Sequence, residues 1–228
     1  MTPLPFRSLV LLTLVAIGGC SARAAARPVV VELFQSQGCS SCPPANANLM
    51  ALADRSDILA LSFGVTYWDA QGWKDTFAQP AFTARQWGYA HGFGRGNVFT
   101  PEVVVNGRAD VVGQDRGELE ALIRREQTSG GPDIRLNGNA VTIGPGDGRA
   151  QIWLVRFDPR VVQVAIQRGE NGGRTLPHRN VVKELTALGN WNGKPETLVL
   201  PPAADGLLRT AILVQDGAGG RILAAARD

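Results

Sequence analysis

A chain of 228 residues, 44% of them apolar, has room for one large domain or two small ones and the composition of an ordinary globular protein. Its 23 basic and 20 acidic residues give a net charge of +3, with no basic field of the kind that binds nucleic acid or an anionic surface. Only three cysteines and two histidines are present, so chemistry based on those side chains is confined to a few positions.

The first element in chain order is a leader. Arg7 precedes an apolar run from Leu9 to Ile17, which is short for a membrane span and has the length of a signal-peptide core. Two cleavage modes compete after it. Ala22-Arg23-Ala24 and Ala24-Ala25-Ala26 offer the small-x-small pattern of an ordinary signal peptidase, whereas Ile17-Gly18-Gly19-Cys20 resembles a bacterial lipobox that would place a lipid on Cys20. Residues 1–26 are therefore set apart from the fold, and a periplasmic or secreted protein is expected, held to a membrane only through a lipid on Cys20. Removal of Arg7 and Arg23 takes two of the 23 basic residues and leaves 21 against 20 acidic ones. Cys39 and Cys42 remain as a pair in an oxidising compartment.

Pro28 to Phe34 is a β-rich apolar run, followed by the polar stretch Gln35-Ser36-Gln37-Gly38. From Pro43 to Ala53, Ala45, Leu49, Leu52 and Ala53 recur at helical spacing, with Pro43-Pro44 tolerated in a first turn. Ile58 to Val65 reads as a strand covered on both faces. Pro80 opens a second helix with Phe82, Gln86 and Tyr89 on one stripe, and Pro101 precedes a strand from Glu102 to Val105. Asn106-Gly107 marks a hairpin to Ala109–Val112, and Asp115 with Glu118 forms a capping box before a third helix. The order is β-α-β-α-β-β-α.

Ser129-Gly130-Gly131-Pro132 is the natural joint between residues 28–130 and residues 131–228. Beyond it, strands are expected at Ile134–Leu136, Ala140–Ile143, Gln151–Phe157, Val161–Gln167, Thr197–Leu200, Thr210–Val214 and Arg221–Ala224, the first two around an Asn137-Gly138 hairpin. Arg168 to Gly193 is rich in Gly, Asn and Arg, with Val181-Val182 its one short apolar run. The expected fold class is an α/β domain followed by a smaller, mainly antiparallel, sandwich-like β region.

The chemistry lies in Cys39-Ser40-Ser41-Cys42 at a strand-to-helix junction. A helix N-terminus offers free N–H groups and partial positive charge to the first sulfur, which favours thiolate at Cys39. Cys42, one turn on, would resolve a mixed disulfide, and electrons would pass through the pair without a bound cofactor. Because Cys42 precedes proline, the helix is expected to begin as late as Pro43. Thr100-Pro101 follows about sixty residues later, before a strand and hairpin. This topology and proline resemble the thioredoxin superfamily, a likeness that implies a cis Pro101 facing the cysteines beside an extended substrate segment.

Further stretches carry a closer likeness. Val31-Glu32-Leu33-Phe34, Ser36-Gln37-Gly38-Cys39-Ser40-Ser41-Cys42-Pro43-Pro44, Tyr67-Trp68-Asp69 with Gly72-Trp73-Lys74-Asp75, Gly94-Arg95-Gly96, Val104-Val105-Asn106-Gly107-Arg108 and Arg168-Gly169-Glu170-Asn171 resemble the DUF1223 family of secreted bacterial thioredoxin-like proteins. That resemblance implies fold and envelope location, and no particular activity. Where the family commonly reads His-Val-Asp-Tyr-Trp-Asp, this chain has Gly64-Val65-Thr66-Tyr67-Trp68-Asp69, and neither Gly64 nor Thr66 can shuttle a proton.

The leading expectation is thiol–disulfide exchange with protein or small thiol/disulfide substrates. Cys39 attacks, Cys42 resolves, and Thr100, Pro101, Tyr67 and Trp68 contact substrate. The alternatives are a copper(I)-handling thiol protein and a non-catalytic envelope binding module with a structural Cys39–Cys42 disulfide; a buried Cys39 sulfur would favour the latter. Zinc is disfavoured because neither His91 nor His178 is near the cysteines in sequence. His91 reads as a cation completing a helix end, His178 as solvated surface, and Asp69 and Asp75 as exposed loop charges. Gly169-Glu170-Asn171-Gly172-Gly173 reads as a turn facing the other half.

Overall fold

The computed structural model describes residues 27–127 and 130–228; the expected leader and Cys20 lie outside the described residues. From the first half come β1 (Val29–Gln35), α1 (Cys42–Leu52), β2 (Ile58–Gly64), α2 (Pro80–Gly92), β3 (Glu102–Val105), β4 (Ala109–Val111) and α3 (Arg116–Arg125), with a short 3-10 turn at Asp69–Gln71. This is the order the sequence pattern predicts. Asp115 caps α3 by accepting the Glu118 N–H at 2.9 Å, and Asn106 and Gly107 take the positive φ values that the β3–β4 hairpin requires. The first helix begins at Cys42, one residue earlier than expected, since a first-turn proline removes only an N–H that has no intrahelical acceptor.

The second half supplies β5 (Ile134–Asn137), β6 (Ala140–Ile143), β7 (Ala150–Asp158), β8 (Val162–Ala165), β9 (Thr175–His178), β10 (Val181–Trp191), β11 (Glu196–Val199), β12 (Arg209–Gln215) and β13 (Ile222–Arg227). Seven of these match expected strands to within a few residues. β9 and β10 fall inside the Gly- and Asn-rich stretch where only Val181-Val182 stood out.

The expected fold class is overturned. The described chain is mostly β, with three short α-helices, and its main sheet is a mixed eight-stranded one in the order β13-β12-β7-β10-β2-β1-β3-β4. An α/β thioredoxin-like domain followed by a smaller sandwich does not describe a sheet that draws four strands from each side of residue 130. The joining strand is β10. It lies antiparallel to β7 along most of its length, and its first residue pairs in parallel with β2 through Val181↔Ser62. Asn180 secures that junction: its carbonyl accepts from Ser62 N at 2.9 Å and its side-chain amide donates to Ala60 O at 2.8 Å.

Side-chain alternation sorts the core into layers. On one face of β1, β2 and β3, Val31, Leu33, Ile58 and Val103 meet Leu49 of α1 and Leu119 and Ile123 of α3. On the opposite face, Phe34, Leu61 and Phe63 meet Phe82 and Tyr89 of α2, and Val155, Phe157 and Leu213 of the second half. Behind β7 and β12, Ile152, Leu154 and Ile212 pack on Val141 and Ile143 of the small β11-β6-β5 sheet. Both faces of β1 and β2 are therefore covered, which is why their sequences run apolar almost without interruption. A second seam runs from the β3–β4 turn to β13, where Ile222 N donates to Asn106 O at 2.8 Å. Any Cβ at Gly107 would meet the Gly220 carbonyl there, so the close approach needs glycine.

Candidate functional site

β1 ends at Gln35 and α1 starts at Cys42, so the intervening turn places Cys39 just past the end of an interior strand of the main sheet. Cys39 N donates to Ser36 O and Cys42 N to Cys39 O, each at 3.2 Å, which folds the motif into a tight ring. The two cysteines form a disulfide with their Cα atoms 5.5 Å apart. Cys39 is 0% and Cys42 1% exposed.

Three groups hold the turn that carries the ring. From one side, the Thr100–Pro101 peptide is cis, and the Thr100 carbonyl oxygen lies 3.9 Å from Cys39 Sγ. Trp68 Nε1 donates to Thr100 Oγ1 at 2.7 Å, and the Tyr67 hydroxyl reaches Gln86 Oε1 at 3.3 Å. Gln86 in turn donates to Phe99 O and to Glu102, so α2 fixes the segment before Pro101. Burial pushes the Tyr67 phenol up to about 12, where it stays protonated as a donor. Cys39, Cys42, Thr100, Pro101, Tyr67 and Trp68 are thus all brought together.

From beneath, Asp75 accepts the Gln37 N–H at 2.7 Å and the Phe77 N–H at 2.8 Å. It is buried, where an exposed loop charge was expected, and burial pushes its carboxyl up despite those amides. Asp69 is half-buried and accepts the Asp75 N–H at 3.1 Å. Gln37, also buried, accepts the Trp73 indole N–H at 2.9 Å and donates to Thr76 Oγ1 at 2.9 Å.

From above comes the loop 168–174, joining β8 to β9. Asn171 is fully buried and spends both amide protons on the cysteine turn, on Gln37 O at 2.9 Å and Cys39 O at 2.8 Å. Glu170 Oε2 accepts from Ser40 N at 2.8 Å and from Ser40 Oγ at 2.7 Å, and these bonds hold its carboxyl below the usual range. Gly169, at a φ of +77°, brings its backbone against Gly38 and Trp73, where a Cβ would sit 3.4 Å from Trp73 Cβ. The sequence marks Gly169–Gly173 only as a turn facing the other half. Its Gly-Glu-Asn string was the available signal, and nothing in it names the cysteines as the target.

The histidines part company. His91 is exposed in the last turn of α2, as expected, and its ring lies 5.5 Å from that of Trp87. His178 is buried, contrary to the solvated surface expected of it. Its Nδ1 faces Gln35 Nε2 at 3.3 Å and its ring lies edge-on to Phe77, while burial, reinforced by the Lys183 cation, pushes it down to about 4. Among the described residues no group of three or more His, Cys, Asp or Glu side chains is arranged to hold a metal ion. An open depression of about 600 Å³, lined by Arg149, Asn190, Trp191 and Asp216 among others, lies at the far end of β7 and β10. No cysteine or histidine lines it.

Comparison with known proteins gives the lineage. A family model described as "Protein of unknown function (DUF1223)" matches residues 30–215. The chain belongs to the DUF1223 family. A crystal structure of an Agrobacterium tumefaciens protein is 32% identical to this DUF1223 chain, with a TM-score of 0.73 over 89% of this chain and 94% of that one. HBP35 of Porphyromonas gingivalis is similar at 14% identity and a TM-score of 0.59, over 89% of this chain and 75% of that one, a likeness of fold alone. No curated protein matches the chain.

Proposed function

We propose that this protein is an exported thiol–disulfide exchange protein whose reactive centre is the Cys39–Cys42 pair. The observation that carries the reading is what faces Cys39 Sγ. Ser41 Oγ lies 3.2 Å away and the Thr100 carbonyl 3.9 Å away, a hydroxyl for which a disulfide sulfur is only a weak acceptor and a carbonyl to which it can donate nothing. They suit the reduced state: the serine donates to a Cys39 thiolate, and the carbonyl accepts from a Cys39 thiol. In exchange, the Cys39 thiolate attacks a substrate disulfide and expels one substrate thiolate, forming a mixed disulfide. Cys42 then attacks Cys39 Sγ, the second substrate thiolate leaves, and two electrons have passed from the pair to the substrate. The reverse sequence oxidises a substrate dithiol. Export rests on the apolar run Leu9–Ile17 and the small residues after it.

The burial of Cys39 favours a second reading, a structural tie between β1 and α1. A ring with a sequence separation of 3 is a weak staple, however, worth about 2 kcal/mol of loop entropy against about 3 for a fifteen-residue loop. A Cys42→Ser variant in its native envelope separates the two. Exchange predicts reductant-sensitive covalent adducts that Cys39→Ser does not form, identified by mass spectrometry. Equal, background-level trapping by both variants would leave the structural reading.

A further inference from the structure

The loop 168–174 does more than join two strands. It belongs to the second half, more than a hundred residues from the cysteines in sequence, yet its two most specific side chains are spent on the cysteine turn. Asn171 uses both amide protons there, and its own Oδ1 is held by Arg174 Nη1 at 2.7 Å. The loop is braced internally as well: Gly172 N donates to Gly169 O at 3.0 Å, and Gly173 N to Ile166 O at 2.8 Å. It therefore sits on the ring as a preformed piece, joined by a few polar bonds and one backbone contact at Gly169. Glu170 and Ser40 are both exposed, so water competes directly for that bond, while Cys39 next to Ser40 has no exposed surface.

We propose that loop 168–174 is a latch: Glu170 on Ser40 and Asn171 on Gln37 and Cys39 close the disulfide to incoming thiols, and exchange proceeds only when the loop lifts. The proposal rests on the exchange reading for its biological meaning and on the geometry alone for the gating. A thiolate must approach Cys39 Sγ along the S–S axis to displace Cys42, and a sulfur with no exposure admits no such approach until a neighbour moves. A loop held by side-chain bonds opens locally at far lower free energy than the sheet below it unfolds. The rate of attack then follows the fraction of molecules with the latch open. Loosening Glu170 raises that fraction without touching either sulfur.

The test uses dithiothreitol as probe on the oxidised full chain. Its thiolate attacks Cys39 Sγ and releases Cys42, which takes up a proton. Its second thiol then clears the mixed disulfide as cyclic oxidised dithiothreitol, so two electrons enter the pair. Slow reduction of the wild type is expected, with Glu170→Ala about tenfold faster, Glu170→Gln in between, and Asn171→Ala at least as fast as Glu170→Ala. Hydrogen exchange at the Ser40 amide should quicken in step, a change that a general loss of stability would not confine to this turn. Because Asn171 is buried its variant can misfold; Glu170 is exposed, and its variants keep the test sound. Wild-type reduction rates in both folded Glu170 variants would overturn the latch. The exchange reading fails separately: if Glu170→Ala accelerates reduction but Cys42→Ser traps nothing, the latch stands over a structural disulfide. If Cys42→Ser traps equally with and without Glu170→Ala, exchange stands and the latch does not.

Discussion

Single residues in this protein are set by what buries them, and His178 shows it. Its ring is held at about 4 by burial and by Lys183, against 6.5 for an exposed imidazole. Between those values the unfolded chain binds a proton that the folded chain refuses, so this residue's contribution to stability is lost as pH falls from about 6.5 towards 4. The loss amounts to about 2 kcal/mol between pH 7 and pH 5. Asp75, pushed up by burial, has the opposite sign, so the informative quantity is the difference between wild type and His178→Gln. Urea titrations at both pH values should give the variant the shallower loss; equal losses would exclude His178 as the sensor. The cysteine pair and the segments facing it were more legible than the rest of their surroundings. Cys39, Cys42, Thr100, Pro101, Tyr67 and Trp68 could be gathered from motif and topology. Asp75, His178 and Asn171 could not, because an Asp, His or Asn in a loop looks the same whether another loop covers it or not.

At the scale of elements, the first half was readable because its apolar periods were clean and its caps and turns carried the expected residues. The capping contact at Asp115 gives a calibrating expectation: Asp115→Ala should cost about 1 kcal/mol in a chemical melt. A larger effect belongs to Asn180, which combines a positive φ of 52° with buried bonds at the β2–β10 junction. Asn180→Ala should cost about 2 kcal/mol or more by the same measurement, and a change within about 0.5 kcal/mol would show that the junction is not where the halves are secured. β10 itself was missed for a physical reason. Its pairing with β7 shifts register between Val182 and Glu184 and again between Ala187 and Gly189, so the alternation of inward and outward residues is reset twice in eleven residues. A period of two does not survive that, and Gly189 and Asn190 add turn-like composition. The strand that joins the sheet was thus one of the two whose pattern did not show a strand, and the fold class was misjudged with it.

For the whole molecule, the sharing of one sheet makes the first half dependent on the second. The inner face of β1 and β2 presents Phe34, Leu59, Leu61 and Phe63, all with no exposed surface, and their cover includes Val155, Phe157, Val182 and Leu213. A fragment ending at residue 130 keeps α1, α2 and α3 but loses β7, β10, β12 and β13. Each large side chain it uncovers forfeits up to about 2 kcal/mol of burial, and several together exceed the 5–15 kcal/mol that holds a typical domain. The fragment 27–130 should therefore show no cooperative melt, while the full chain unfolds in a single transition. Tryptophan fluorescence and circular dichroism should give the same midpoint, because Trp68, Trp73 and Trp87 lie before residue 130 and Trp153 and Trp191 after it. A fragment that melts cooperatively near the temperature of the intact protein would show two independent units instead. The same dependence reaches the cysteines. The second half that completes the hydrophobic core also sends Asn171 and Glu170 onto the cysteine turn, so the turn and the groups that hold it are assembled by one folding event.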